Sequence, residues 1–472
     1  MTRIIAYERD GKLDCDAVTD TTDVDAIFDS ATAAWLGEVY YDRELVTEPG
    51  IGECHVLLVV RRPLELVEYD DPFELLEAAS LKPRTLRVVG MRVVRRKSDP
   101  WPEHLRALID ETVERDDDDP RLVLADALGG DRSELARVQC ELARGGLEPA
   151  RSGFLRRRQR ELLASNGATW SHLRGIADHC VFRRGFVEVV RPMLRDDTRL
   201  PSLAPHLAVV DGAHADEAWP TTVRGLAFEG DSADRLTGKL TGLTAAQITL
   251  RHSEDARVIA ETNDLRELEV LRLYFYELEV EDFAALTSRS PKLRVLEIHA
   301  ITPEPVLEAL LAAIPTSIRQ LVATESTPRI GWSRVSSSPV VPFIEKLALP
   351  RHGEEHLVLI AAIPCLRSLD LRAARASTAL PSLELPALRE LALPTMPRDE
   401  LRAIAARFGL QLELLDVRGN PDADAIGDEL RALVAGDVWL GPRTRRHTPM
   451  LATYLPGEPM WDLGVVELTE RG

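Results

Sequence analysis

Through the second half of the chain, apolar residues fall into one short phrase, hydrophobic–x–x–Leu–x–hydrophobic, which returns at a nearly fixed distance. The clearest copies are LRELEVLRLYFYEL (265–278), LRVLEIHAI (293–301), LRSLDL (366–371) and LRELAL (388–393). One anchor per copy gives Leu226, Ile248, Leu271, Leu296, Leu321, Leu347, Leu369, Leu391 and Leu415, at gaps of 22 to 26 residues, with Val438 in DVWLG as a tenth. Strand side chains alternate between faces, so the leucines of L-x-L point into a core and the residues between them point out. A period of this length predicts a solenoid in which each copy adds one strand to a continuous parallel sheet. Helical spacing in 303–314, 353–363 and 398–408 places helices behind that sheet, while 372–386 and the Ser- and Pro-rich 327–342 read as irregular.

The first half follows other patterns. Residues 1–97 read as a small α+β unit, with strands in 53–62 and 85–96 and helices in 23–40 and 71–80. Two prolines, Pro100 and Pro102, mark a linker. Residues 103–195 are mostly helical. In the run DDDDP (116–120), Asp119 is placed as a helix N-cap and Pro120 at the first helical position. A calcium loop needs ligands spread along a turn with a Gly bend, which this run lacks. The segment VFRRGFVEVVRPM reads as one strand ending before Pro192.

Four blocks, PRLVLADAL (120–128), ELARVQCELAR (134–144), RELLASNGATW (160–170) and FRRGFVEVV (182–190), make residues 103–195 resemble a bacterial repeat-companion domain. Ala127, where that family usually has an aromatic residue, and the shortened turn GGDRSEL depart from its pattern. The resemblance implies no catalytic activity. The repeats, 198–440, resemble leucine-rich repeats, whose unit contains L-x-x-L-x-L-x-x-N. The Asn position survives only at Asn420 and is Asp231, Ser253 or Tyr276 in earlier copies, which implies a less regular inner corner. The expected fold is therefore α/β: a leucine-rich-repeat solenoid with a parallel concave sheet and helices or loops on its convex side. A mostly helical companion domain and a small α+β amino-terminal domain precede it. The companion domain should cover the open edge of the first repeat, and the tail, 441–472, the last.

Composition narrows the use. With 472 residues, 45% hydrophobic and 29% charged, the chain has the make-up of a folded protein. No apolar run approaches a membrane span and the first residues form no h-region, so export is not expected. Five cysteines without a C-x-x-C suit reduced thiols, and a cytoplasmic location is expected. A net charge of −19 repels nucleic acid and anionic membrane over most of the surface.

Candidate chemistry is sparse. Cys54 and His55 are adjacent in a strand-like segment, so they face opposite ways and form no nucleophile pair. His172, His179 and Cys180 lack zinc spacing. No phosphate-cradling Gly loop, Ser-centred elbow or H-E-x-x-H occurs, so no catalytic residue, metal or cofactor is expected. The basic run Arg156, Arg157, Arg158 and Arg160 reads as a solvated helix face. In FRRGF, one of Arg183 and Arg184 should face solvent and the other reach acids of the preceding helices. The concave positions do carry a signal. Arg251, Arg272, Tyr274, Glu297 and His299 fall in three neighbouring strands, and Phe275 and Tyr276 add aromatic anchors; with Arg372 and Arg418 they form a candidate partner-binding set. Arg and aromatic anchors of this type dominate interface energy. The expectation is non-catalytic protein recognition on the concave face by a monomer, in which Arg272→Ala with Tyr274→Ala spares stability. The alternative is an enzyme whose catalytic unit is residues 1–97, its substrate selected by the repeats. A nucleic-acid adaptor using Arg156 to Arg160 is disfavoured by the charge.

Overall fold

The structure is a computed structural model that describes strands within residues 3–59 and, with breaks, residues 103–441 and 465–467. The chain divides into two compact units, Met1–Pro100 and Trp101–Gly472. In the first, β1 (Arg3–Arg9) pairs antiparallel with β2 (Lys12–Val18), and β3 (Trp35–Val39) with β4 (Val56–Val59). The helix expected over 23–40 is therefore wrong at its end. Gly37 weakens a helix there, while Trp35 and Val39 favour a strand once Val56–Val59 lies alongside. The elements expected in 71–80 and 85–96, and Cys54 and His55, lie outside the described residues.

The second unit opens with four helices: α1 (Arg106–Glu114), α2 (Asp118–Leu128), α3 (Gly130–Arg144) and α4 (Pro149–Ser171). The acidic run caps α2, two residues earlier than expected. Asp117, not Asp119, is the N-cap, its side chain accepting from the Asp119 amide at 3.1 Å. The segment expected to be one strand is a hairpin of β5 (Ala177–Arg183) and β6 (Phe186–Pro192). Its turn places Arg184 and Gly185 at φ 49° and 88°, the positive values of a tight hairpin turn. A Cβ on Gly185 would also lie 2.6 Å from that of Ala136 on α3, so the residue serves both turn and packing.

From the hairpin onward one strand per repeat is laid down in parallel: β7 (Val209–Ala213), β8 (Gly225–Phe228), β9 (Ala245–Leu250), β10 (Val270–Phe275), β11 (Val295–Ala300), β12 (Gln320–Ala323), β13 (Lys346–Ala348), β14 (Ser368–Asp370), β15 (Glu390–Ala392), β16 (Leu414–Asp416) and β17 (Asp437–Trp439). A last strand, β18 (Val465–Glu467), pairs antiparallel with β5, completing a 14-stranded sheet in the order β17 to β5, then β18. The one described strand of the tail thus lies on the first edge of the sheet; the remainder of 441–472 beyond Gly441, expected to cover the last repeat, lies outside the described residues. This long parallel sheet of leucine-anchored strands is a mixed α/β architecture that fits a leucine-rich-repeat solenoid.

Register confirms the anchor row with one correction. Leu271, Leu296, Leu321, Leu347, Leu369, Leu391, Leu415 and Val438 are successive partners. Leu271 and Leu226, however, both pair with Ala246, not with Ile248. In AAQITL three alternate residues, Ala246, Ile248 and Leu250, all enter the core, and the smallest of them is the true anchor. Behind the sheet pack α5 (Glu254–Thr262), α6 (Val280–Ser288), α7 (His356–Ala361) and α8 (Arg398–Phe408); α7 and α8 fall inside expected helical segments. The one surviving Asn behaves as the repeat pattern implies. Asn420 is buried and donates to the Met396 carbonyl of the previous turn at 3.0 Å. Asp231 reaches back in the same way, accepting from the Ala215 amide at 3.0 Å.

Curvature is set by α4. Laid flat, fourteen strands span roughly 62 Å, whereas α4, with 23 residues, is about 35 Å long. Yet α4 packs against both β17 and β18, so the sheet curls until its two edges meet one helix. Gly153 makes this possible, since a Cβ there would lie 2.5 Å from the Gly436 carbonyl carbon. The run expected to be a solvated face is the clamp. Arg156 is buried and donates to Glu390 at 2.7 Å, while Arg160 reaches Asp437 at 2.5 Å and stacks over Trp439.

One buried imidazole makes the helical layer sensitive to acid. His206 lies 2.6 Å from the Thr112 hydroxyl of α1 and stacks on Phe186 at 4.3 Å. Burial, with Arg121 and Arg132 nearby, drives its pKa down to about 3. Its folded value lies below its unfolded value, so the unfolded chain takes up a proton first and stability falls as pH drops below about 6.5. The expected slope is about 1.4 kcal/mol per pH unit down to about pH 4. Urea titrations of wild type and His206→Gln across that range check this, and parallel curves would refute it.

Candidate interface on the central strands

The centre of the concave face lies on β9, β10 and β11, where Gln247, Arg272 and Glu297 are adjacent in one row and Thr249, Tyr274 and His299 in the next. Alternation sends Leu271, Leu273 and Phe275 into the core and Arg272 and Tyr274 to the concave side. In the floor row Arg272 is 9% exposed and Glu297 is 1% exposed, and their side chains form an ion pair. His299 Nε2 lies 2.5 Å from Glu297 Oε1 and 3.1 Å from Arg272 Nε, so one carboxylate orients both side chains. Burial pushes the His299 imidazole below its ordinary value, against the pull of Glu297. The ring stacks on Tyr274 at 4.0 Å, and the Arg272 guanidinium lies 5.8 Å from the Tyr274 ring centre.

On the same face Val209, Ala227, Ala245, Val270, Val295, Val322, Ala392, Leu414 and Trp439 pack into a second core, interleaved with the buried polar groups Asp211, Gln320, Ser368, Glu390, Asp416 and Asp437. These side chains pack against one another, and along β9–β11 the accessible groups lie at the ends of the strands.

The expected binding residues therefore separate. Tyr274 and His299 come together, half-buried, at the carboxyl ends of β10 and β11. Arg272 and Glu297 lie beneath them as support. Phe275 is a correction: at 2% exposed it belongs to the core, because it has the inward parity of Leu273. Arg251 is also displaced, since Thr249 occupies the position beside Tyr274. Arg251 follows the end of β9 and is exposed, its amide donating to Asp255 at 2.7 Å. Arg372 and Arg418 fold back on their own strands, reaching Asp370 at 2.5 Å and Asp416 at 2.8 Å. Arg418 also stacks over Trp439, 4.4 Å from the ring centre. Burial acts to raise the Asp416 carboxyl, but Arg418 and Arg372 hold it below its ordinary value. Tyr276, which the sequence adds to the anchors together with Phe275, is 57% exposed just past β10.

Elsewhere, Arg184 reaches Asp118 at the start of α2 at 3.2 Å and Arg183 reaches Glu188 at 3.3 Å, so both arginines of the hairpin find acids. His172 ends α4 in a left-handed conformation, while His179 and Cys180 are buried on β5. Burial pushes the Cys140 thiol up to about 12, and that of Cys180 also upward, so neither is a thiolate near neutrality. Among the described residues no group of three or more His, Cys, Asp or Glu could hold a metal ion, and no helix is long and apolar enough to cross a membrane.

No protein-family model matches the chain, and no curated protein does. Solved structures similar to it include the leucine-rich repeat-containing protein LegL7 from Legionella pneumophila, 16% identical with a TM-score of 0.39, covering 52% of this chain and 97% of that one. The yeast Rad7 and Elc1 complex is 14% identical with a TM-score of 0.32, covering 46% and 69%. An internalin from Listeria monocytogenes is 13% identical with a TM-score of 0.27, covering 57% and 85%.

Proposed function

We propose that this chain is a non-catalytic recognition module that holds a protein partner at the carboxyl ends of its central strands. The observation that carries this reading is the Tyr274–His299 stack, half-buried and fixed from beneath by the buried Arg272–Glu297 pair. Rigid aromatic groups offer contact area at low entropic cost, which suits a partner-binding centre. Exposed Tyr276 and Arg251 extend the patch at the ends of β10 and β9. A partner bound here meets the rim of the solenoid, not its floor.

The test uses substitutions that leave the buried support intact. Tyr274→Ser with Tyr276→Ser should abolish capture of a partner from native lysate while shifting Tm by no more than about 2 °C, since both side chains lie outside the core. Identical captures by wild type and variant would refute the reading.

A further inference from the structure

A cavity of about 310 Å³ lies between α3–α4 and the starts of the strands from β11 onward. Its sheet wall carries a row of cations interrupted once, by Glu345 at the entrance of β13. Arg294, Arg319, Arg367 and Arg389 each stand two residues before an anchor leucine, at the entrances of β11, β12, β14 and β15. Their main chains are tied strand to strand: the Arg319 amide donates to the Arg294 carbonyl at 2.8 Å and the Arg389 amide to the Arg367 carbonyl at 2.7 Å. The four guanidinium stems are thus held on one rigid edge at multiples of about 4.8 Å.

Among the described residues, none of the four pairs with a carboxylate. Arg319 and Arg389 donate from Nη1 to carbonyls of their own turns, and Arg294 and Arg367 are exposed with no side-chain hydrogen bond. Of the wall's three acids, Glu345 stands in the row between Arg319 and Arg367, and the other two are committed elsewhere. Glu390 and Glu413 are both held by Arg156, at 2.7 and 3.5 Å. In a chain of net charge −19 this is a local reversal of sign. Like charges fixed side by side repel, and the repulsion is relieved by a ligand that supplies the opposite charge.

We propose that this cavity binds a small polyphosphate-bearing ligand. Guanidinium forks match phosphate oxygens two at a time, and a chain of phosphates meets several arginines of the row where a single carboxylate would meet one. The volume falls at the lower end of small-ligand pockets, about 300–1,000 Å³. Helices α3 and α4 close one side, so a long nucleic-acid strand does not fit and the acidic exterior repels it.

The experiment is calorimetric titration of inorganic triphosphate into the full chain at fixed ionic strength, beside Arg294→Gln with Arg367→Gln. Wild type should show saturable one-site uptake, and the double variant should bind at least about tenfold more weakly with an unchanged ligand-free Tm. Should that variant fail to fold, Arg294→Lys with Arg367→Lys keeps charge but loses the fork, and should bind at least about threefold more weakly. No uptake by wild type, or equal affinity in the variant that folds, overturns the proposal.

Discussion

Arg156→Met is expected to destabilise the second unit by about 3–5 kcal/mol, the cost of leaving buried charge without its partner. The guanidinium is buried and holds three groups: Glu390 at 2.7 Å, Glu413 at 3.5 Å and the Ser152 hydroxyl at 3.2 Å. Burial acts to raise the Glu390 carboxyl, yet Arg156, with Lys346 and Ser368, holds it below its ordinary value. Without Arg156 that balance reverses and Glu390 must take up a proton or draw in water. The same guanidinium ties α4 to β15 and to the turn before β16, so the curl of the sheet loosens in its absence. Denaturant unfolding of Arg156→Met, and of the same variant carrying Glu390→Gln and Glu413→Gln, separates the two contributions. The triple variant should recover at least half of the loss, because no uncompensated carboxylate remains. A loss below about 1 kcal/mol in the single variant would show the clamp to be solvated.

Arg272→Ala should cost about 3 kcal/mol on the same grounds. This reverses the expectation from sequence that Arg272 and Tyr274 could be removed together without loss of stability. Arg272 and Glu297 are both buried in the floor row. Removing the guanidinium leaves a carboxylate that is 1% exposed, with the His299 imidazole beside it. Arg272→Met with Glu297→Gln should restore most of the loss, since no ionised carboxylate is then stranded. Tyr274→Ser alone should change stability little. Urea midpoints of these variants check the ranking, and equal midpoints for Arg272→Ala and Tyr274→Ser would contradict the burial of the pair.

Much of the repeat is legible in sequence because leucine is hard to mistake. Eight anchors from Leu271 to Val438 fall in one register, and α8 spans 398–408 as its spacing suggests. Sequence misleads where alternation alone does not decide. Ala246 is too small to announce itself as an anchor, so spacing favours the neighbouring Ile248 and carries Arg251 out of place with it. The curl of the sheet around α4 is not legible at all. It depends on contacts such as Arg156 with Glu390, 234 residues apart, and on Gly153 meeting Gly436, which no local pattern records. A basic run taken by itself resembles a solvated face. Only the curl of the sheet brings Glu390, Glu413 and Asp437 to it. The tail strand falls on the first edge for the same reason: β18 pairs with β5, far earlier in the chain.

The central claim is that the partner sits at the carboxyl ends of the central strands. A photoreactive phenylalanine analogue placed at position 276, and separately at position 410, tests it most directly, because Tyr276 and Leu410 are both well exposed, at 57% and 84%. Irradiation in native lysate should yield a discrete adduct from position 276 and none from 410. An adduct from 410 alone, or the same adducts from both, would contradict the account.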